Sequence, residues 1–210
     1  MGKRTPLYAT HVALGGKMVD FAGWDMPIHY GSQIDEHHQV RRAAGMFDVS
    51  HMCVVDIEGA RARDFLRYLV ANDVARAGSA GKAIYSCMLN DKGGVIDDLI
   101  IYHMRDDWFR MVVNAGTRDK DLAWIRKHAD SFAVAVSERD DLGLIAVQGP
   151  EARDKAHTAL GGEAADVARG LKRFAAAEAG DYFVGRTGYT GEDGYEIALP
   201  AEELEGLWQA

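Results

Sequence analysis

The sequence predicts an α+β fold with mixed, largely antiparallel sheets and flanking helices. Apolar runs typical of strands occur in neighbouring pairs, and turn-forming residues separate the two members of a pair. Other segments carry apolar residues every three or four positions, as amphipathic helices do. Hairpins mixed with separate helices are typical of the α+β class.

The clearest hairpin joins residues 84–89 to residues 94–104. The connection at residues 90–93 reads Asn-Asp-Lys-Gly, and both Asn and Gly tolerate the positive φ that tight hairpin turns require. Further strands are predicted at residues 53–57, 109–113, 132–136, 144–147, 182–184 and 196–199.

Five helices are predicted from capping signals and apolar spacing. Ser32 followed by Asp35 resembles a capping box, and Gly45 is a stop signal, so the first helix is predicted at residues 33–44. Others are predicted at residues 60–70 and 118–128. Pro150 fits the first position of a fourth helix that ends before Gly161, and a last helix begins near residue 204.

Composition sets the broad class of the protein. The 210 residues suffice for one large domain or two small ones, and 48% hydrophobic with 27% charged residues is ordinary for a globular chain. A polar stretch at residues 138–143 marks one soft boundary, so we expect a first portion at residues 1–140 and a second at residues 141–210. The net charge of −8 argues against a nucleic-acid-binding surface.

The sequence also predicts location and redox state. The N-terminus is too short and too polar for a signal peptide, and no apolar run approaches the roughly 18 residues of a membrane span. We therefore expect a cytoplasmic protein without membrane or nucleic-acid partners. Cys53 and Cys87 are expected to be free thiols. No metal site is expected, because the histidines lack the i, i+4 arrangement and no cysteine accompanies them.

Two adjacent carboxylates interrupt an apolar strand. Side chains of a strand alternate between its faces, so Asp97 and Asp98 should point in opposite directions, and both faces are otherwise apolar. At least one carboxylate should therefore lie in or beside a low-dielectric site. It is either a structural group that accepts backbone N–H groups or a functional one.

A glycine-rich segment at residues 186–196 carries a second candidate. Glycines at positions 188, 191 and 194 let the backbone turn tightly and approach a flat ligand. Tyr189 and Tyr195 offer stacking faces, and Glu196 offers a bidentate acceptor. The alternative is a β-turn with polar side chains. The segment lacks the ending of a phosphate-binding loop and the alternating acids of a calcium loop.

A third segment, residues 45–52, leaves a helix and enters a strand. His51 is a candidate general base, although a lone histidine is more often structural. The sequence carries no Gly-x-Ser-x-Gly nucleophile elbow.

Taken together, these segments resemble a known family. Residues 5–8, 18–24, 45–52, 93–99, 146–150 and 186–196 resemble blocks that occur in this order in the aminomethyltransferases of glycine cleavage, the T-proteins. The resemblance covers essentially the whole chain. It implies the first two domains of a three-domain folate-binding fold, with residues 1–140 as part of a folate-binding core that is discontinuous in the family.

The resemblance also implies a reaction. T-proteins accept an aminomethyl group from the lipoyl arm of H-protein, release ammonia and transfer the methylene carbon to tetrahydrofolate, which gives 5,10-methylenetetrahydrofolate. Asp98 matches the family's catalytic carboxylate, and Glu196 matches its pterin-binding glutamate. Further pocket positions carry over to Met52, Tyr85, Asn114 and Tyr189. The implied partners are lipoylated H-protein and tetrahydrofolate as one-carbon acceptor, with no metal.

One departure from the family pattern affects activity. Family chains continue past the position of Ala210 with a Gly-Leu-Gly-Ala-Arg-Asp block, whose arginine helps to hold folate, and with a C-terminal domain. We therefore expect residues 141–210 to be a C-terminally truncated second portion, and we expect the folate pocket to be incomplete in this chain.

Two other functions are compatible with the same resemblance. The first is a non-catalytic folate-binding relative, but such relatives carry a Lys-Gly-Cys motif, and Lys17, Lys82 and Lys92 are not part of one. The second is a folate-dependent demethylase that acts on sarcosine, dimethylglycine or a sulfonium compound.

Overall fold

The chain folds into helices and antiparallel strands, which confirms the predicted α+β class. A computed structural model describes residues 2–210. The helices are α1 (Tyr8–Ala13), α2 (Gln33–Arg42), α3 (Ala62–Leu69), α4 (Arg118–Ala129), α5 (Ala152–Leu160), α6 (Gly162–Gly170) and α7 (Leu204–Gln209). The strands are β1 (Met18–Phe21), β2 (Trp24–Pro27), β3 (Gly45–Asp48), β4 (Cys53–Glu58), β5 (Ala83–Leu89), β6 (Val95–Arg105), β7 (Trp108–Val113), β8 (Ala135–Glu138), β9 (Leu142–Gln148), β10 (Ala175–Ala179), β11 (Tyr182–Arg186) and β12 (Gly194–Pro200).

The chain divides into two compact units, one of which is discontinuous in sequence. The split unit comprises residues 2–51 together with residues 141–210, and the inserted unit comprises residues 52–140. The chain therefore passes between the units at residues 51–52 and again at residues 140–141. The assignment of residues 1–140 to a folate-binding core stays a prediction.

The inserted unit is a five-stranded antiparallel sheet in the order β5-β6-β7-β4-β8. Helices α3 and α4 pack on one face, where alternate residues of β4, β6 and β7 complete the core. The fully buried members include Val55, Ile57, Phe65, Leu66, Ile101, Phe109, Met111, Val113 and Ile125. Each such side chain contributes roughly 2 kcal/mol on burial. The opposite side of this sheet is called the far face of the inserted unit.

The split unit has its own sheet, in the order β10-β11-β12-β9-β3, and a separate hairpin of β1 and β2. Helices α5, α6 and α7 pack on one face of the five-stranded sheet. Their partners in the core include Ile145, Val184, Tyr195, Ile197 and Leu199. Because side chains alternate along β12, Glu196 points to the opposite side, called the far face of the split unit.

The predicted helices form, with shifts at some ends. The capping signal at Ser32 is confirmed, because its hydroxyl accepts a hydrogen bond of 3.2 Å from the backbone N–H of Asp35. The position given to Pro150 was wrong, since α5 begins at Ala152. The chain first turns at Gly149, where φ is 136° and an added Cβ would lie 2.5 Å from the carbonyl oxygen of Ala43.

One predicted strand was misplaced. Residues 132–136 were expected to be extended, but residues 130–132 form a 3-10 turn and β8 begins only at Ala135. Phe132 packs against Phe65, with ring centroids 5.5 Å apart, so core packing draws this segment inward before the strand begins. Ala133 then reverses the chain at a φ of 52°.

Gly194 gives a stability prediction. Its strand lies so close to β9 that an added Cβ would be 2.1 Å from the carbonyl oxygen of Val147, a backbone atom. We expect Gly194→Ala to lower the free energy of unfolding by about 3 kcal/mol, measured by urea denaturation. Gly206→Ala is the control, because a Cβ there meets no atom within 4 Å and alanine favours the helix. Equal stability of the two variants would contradict the predicted clash.

Candidate functional site

The two adjacent carboxylates lie next to a bulge in β6. Met88 of β5 pairs with Asp97, and Leu89 pairs with Val95, so Ile96 is an extra residue on the β6 side. The ammonium of Lys120 donates to the carbonyl oxygen of Ile96 at 2.6 Å. The bulge therefore shifts the pairing register of β6 with β5 by one residue immediately before Asp97.

Asp97 and Asp98 point to opposite faces, as the alternation predicted. Leu99 belongs to the core beneath α3 and α4, so Asp98 points to the far face of the inserted unit. There the phenol of Tyr85 donates to Oδ2 of Asp98. Both residues were predicted site positions, and the structure brings them into contact. Tyr85 is 56% exposed and Asp98 is half-buried.

Asp97 instead contacts polar groups at the start of α4. Both of its carboxylate oxygens accept from Nδ2 of Asn114 at 3.1 Å, and Oδ2 also accepts from the Thr117 hydroxyl at 2.6 Å. The same Asn114 amide donates to the backbone carbonyl of Asp98 at 3.1 Å. Asn114, a predicted pocket residue, therefore links the side chain of Asp97 to the backbone of Asp98.

Strand register places a fourth predicted residue in the same row. Val113 pairs with Leu99 on one side and with Cys53 on the other. The next positions of the three chain segments are Asn114, Asp98 and Met52. Met52 is half-buried and directly precedes β4. The four predicted residues of the inserted unit, including Tyr85, thus gather at one end of its sheet.

Glu196 and Tyr189 belong to the split unit. Glu196 is half-buried in β12, where its cross-strand partners are Gly185 and Ala146. Both partners are small and buried. Tyr189 lies in the glycine-rich segment and is 77% exposed.

The glycine-rich segment is an ordered turn. Gly188 and Gly191 have φ values of 76° and 86°, which glycine adopts without strain, and the N–H of Gly191 donates to the carbonyl of Gly188 at 2.9 Å. Arg186 donates to both carboxylate oxygens of Asp193 at 2.9 and 2.6 Å. The Arg186 guanidinium holds the pKa of Asp193 below its ordinary value.

Tyr195 does not offer the stacking face that the sequence suggested. Its ring is fully buried in the core of the split unit, and its hydroxyl donates to the carbonyl of Ala168 at 2.7 Å. Position 195 alternates with Glu196 along β12, so the tyrosine points beneath the helices while the glutamate points to the far face. The glycine spacing correctly indicated a turn, but alternation along β12 places Tyr195 and Glu196 on opposite faces of the sheet.

His51 is buried against aromatic edges. Its ring lies 5.5 Å from that of Phe21 and 6.5 Å from that of Trp24, between centroids. Burial lowers its pKa, and its Nδ1 atom has no hydrogen-bond partner among residues 2–210. This packing is typical of a structural histidine.

The sequence did not single out a triad in the split unit, which joins the buried His11 and Asp48 to the exposed Tyr30. Nε2 of His11 lies 2.9 Å from Oδ2 of Asp48, and its Nδ1 lies 2.6 Å from the Tyr30 hydroxyl. Burial, followed by the charge of Asp48, raises the pKa of Tyr30 to about 12. Tyr30 and Asp48 line a groove of about 580 Å³ that contains none of the predicted site residues. Because His11, Asp48 and Tyr30 already form hydrogen bonds with one another, the Asp97–Asp98 pair remains the better candidate site.

Two classes of site lack support in the described part of the chain. Residues 2–210 contain no group of three His, Cys, Asp or Glu side chains that could hold a metal ion. They also contain no helix long and apolar enough to cross a membrane. Cys53 and Cys87 are free thiols.

Comparisons with known proteins identify relatives of this chain. Residues 7–210 match the family model described as the GCVT N-terminal domain. The glycine cleavage system aminomethyltransferase T from Bartonella henselae is 37% identical, with a TM-score of 0.90 over 99% of this chain. The chain spans 57% of the length of that protein. Heterotetrameric sarcosine oxidase from Corynebacterium sp. U-96 shares the fold, with a TM-score of 0.58 and 13% identity over 98% of this chain and 90% of its own.

Proposed function

The chain belongs to the GCVT N-terminal domain family, and from this membership we propose that it is the N-terminal part of a tetrahydrofolate-dependent aminomethyltransferase. The membership confirms the resemblance read from the sequence. In the proposed reaction, the methylene carbon of an aminomethyl-lipoyl group on H-protein loses its bonds to the amine and to sulfur and forms two bonds to nitrogens of tetrahydrofolate. Ammonia leaves, and the lipoyl sulfur is released as a thiol. The proposed partner is therefore lipoylated H-protein, and the proposed compartment is the cytoplasm.

One observation carries this proposal furthest. Asp98 of β6 lies level with Asn114, which directly follows β7, and with Met52, which directly precedes β4, and Tyr85 contacts Asp98. The Asp98 carboxylate and the Tyr85 phenol form a polar pair at one end of the sheet, which suits a ring with several N–H groups. These four positions were assigned from the family resemblance alone, and the strand register independently places them at the same end of the sheet.

Asp98 has the chemistry that the transfer requires. The methylene group between sulfur and nitrogen gains cationic character as ammonia leaves, and a nearby carboxylate stabilises positive charge. The same carboxylate can hold or accept the proton of the folate nitrogen that attacks the carbon. Tyr85 fixes the side chain of Asp98 through its hydrogen bond, and so keeps one carboxylate oxygen oriented.

Glu196 suits recognition of the pterin ring. A glutamate carboxylate can accept two hydrogen bonds, here from the 2-amino group and the adjacent ring N–H of the pterin. In this proposal Glu196 binds and orients tetrahydrofolate, whereas Asp98 acts on the reacting atoms.

The test supplies aminomethylated lipoyl H-protein and tetrahydrofolate, and measures ammonia and 5,10-methylenetetrahydrofolate. We expect the two products in equal amounts. Because the chain spans 57% of the Bartonella henselae protein, a chimera that continues with the remaining part of that protein is assayed alongside. Absence of both products from both proteins would contradict the proposal.

Competing donors separate the related activities. Sarcosine, dimethylglycine and a sulfonium compound are supplied in place of the aminomethyl-lipoyl group. Transfer from one of these donors and none from H-protein would identify a folate-dependent demethylase. Tetrahydrofolate binding without transfer from any donor, in the chain and in the chimera, would identify a non-catalytic folate-binding protein.

A further inference from the structure

Asp121 is a buried carboxyl group that the proposed reaction does not use. It lies in the first turn of α4 and is fully buried. No group within residues 2–210 donates a hydrogen bond to either of its carboxyl oxygens. An ionised carboxylate in such a place is costly, so a fold that retains one must supply a partner or a proton.

The neighbour of Asp121 is Asp97, which already receives several donors. Two contacts from Asn114 and one from Thr117 reach the Asp97 carboxylate. The Thr117 hydroxyl has a single proton, and it is directed to Asp97 at 2.6 Å. Thr117 therefore has no proton left to donate to Asp121.

Two carboxyl groups in contact share one proton at any pH between their two pKa values, because two adjacent negative charges repel. The environment decides which of them keeps it. Burial and the hydrogen bond with Asp97 raise the pKa of Asp121 to about 7. Burial alone would raise the pKa of Asp97 as well, but hydrogen bonds from Asp121, Thr117 and Asn114 outweigh it and lower that pKa. Asp121 is thus the acid, and Asp97 is the anion.

We propose that Asp121 is a positioning residue whose protonated carboxyl donates a hydrogen bond to Asp97, and thereby fixes Asn114 and the backbone of Asp98. The chain of contacts runs from Asp121 to Asp97, from Asp97 to the Asn114 amide, and from that amide to the Asp98 carbonyl. The link to transfer rests on the proposed function, whereas the shared proton does not.

The arrangement predicts a dependence on pH with a definite sign. Asp121 faces Asp97 of β6 and Thr117 of the preceding turn, and Lys120 of α4 is the cation near it. As the pH rises through about 7, Asp121 loses its proton and the two carboxylates repel. Asp97 then shifts, and the support of Asn114 and Asp98 weakens. Asp121→Asn removes this dependence, because its amide donates to Asp97 at every pH.

Infrared spectroscopy tests the shared proton without folate or H-protein. The wild type and the control Asp119→Asn, an exposed acid of the same helix turn, should show a protonated-carboxyl band that disappears with a midpoint near pH 7. Asp121→Asn should lack that band. The proposal is overturned if the wild type shows no such band at about pH 6, above the ordinary range of aspartic and glutamic acids, or if the band persists there in Asp121→Asn.

A second readout tests the positioning role. The affinity for 5-formyltetrahydrofolate and the transfer rate are measured against pH for the wild type, Asp121→Asn and Asp121→Leu. We expect the affinity and the transfer rate of the wild type to fall above pH 7, and those of Asp121→Asn to stay constant. We expect Asp121→Leu to be about 10- to 100-fold slower at every pH, as expected for displaced groups. Identical pH profiles for the wild type and Asp121→Asn would overturn the positioning role, even if Asp121→Leu fails to fold. Failure of the proposed function would remove binding and transfer but leave the infrared band unchanged.

Discussion

Replacing Asp98 by Asn is expected to lower the rate of methylene transfer by about 10²- to 10⁴-fold, the usual contribution of a proton-transferring group. The amide has nearly the same shape and still accepts a hydrogen bond from Tyr85, but it carries no negative charge and no longer accepts a proton. Single-turnover assays of 5,10-methylenetetrahydrofolate formation measure the rate. Calorimetry with 5-formyltetrahydrofolate should show affinity close to that of the wild type, because in the proposed reaction the lost charge acts on the reacting atoms.

The control for this substitution is Asp91→Asn, which makes the same chemical change in the exposed turn between β5 and β6. It should transfer at the wild-type rate. A full transfer rate in Asp98→Asn would remove Asp98 from the chemistry. A large loss of binding in Asp98→Asn would instead assign it to pterin recognition.

Replacing Glu196 by Ala is expected to weaken tetrahydrofolate binding by at least about 100-fold. Each hydrogen bond to a charged group contributes about 1.5–3 kcal/mol, and the proposed role of Glu196 involves two of them. Glu196→Gln should also bind weakly, because its amide presents one donor where the pterin requires two acceptors. Calorimetric titration with 5-formyltetrahydrofolate measures both variants.

Glu202→Gln, on an exposed turn before α7, is the matched control and should bind as the wild type does. Urea denaturation checks that the Glu196 variants remain folded. If folded Glu196→Ala binds with wild-type affinity, the pterin is held by other residues and the role carried over from the family is wrong for this chain.

Local signals in the sequence predicted much of the inserted unit. The Asn-Asp-Lys-Gly connection specified the β5–β6 hairpin, and alternation along β6 correctly separated Asp97 from Asp98. The bulge at Ile96 was not predictable, because it arises from pairing with β5 rather than from any residue in β6. Alternation held from Asp97 onward, which is the part that carries the candidate site.

In the alanine-rich part of the split unit, helix propensity does not predict the observed structure. Residues 175–179 read Ala-Ala-Ala-Glu-Ala, a composition that favours a helix, yet they form β10 at the edge of the sheet. Pairing with β11 supplies the backbone hydrogen bonds that override this preference. The hairpin of β1 and β2 was missed for a related reason, since its strands are only four residues long and Ala22 adopts positive φ at the turn.

The position of Asp121 in the sequence indicates a buried acid, although the sequence analysis did not predict one. It falls on the same helix face as Ile125, four positions further on, and next to Leu122, so an acid interrupts the apolar stripe of α4. The identity of its partner was not predictable, because Asp97 comes from a strand 24 positions earlier and only the tertiary fold brings them together.

The discontinuity of the split unit affects the order in which the protein can fold. Strand β3 must find β9, with Asp48 opposite Ile145, although the whole inserted unit lies between them in the chain. Closing so long a loop in an unfolded chain carries a large entropic cost. Within the inserted unit, however, the first strand pairs with the last, with Val55 opposite Glu138, so folding of that unit brings its two ends together. Early folding of the inserted unit shortens the effective loop to a few residues and speeds the formation of the sheet that carries Glu196.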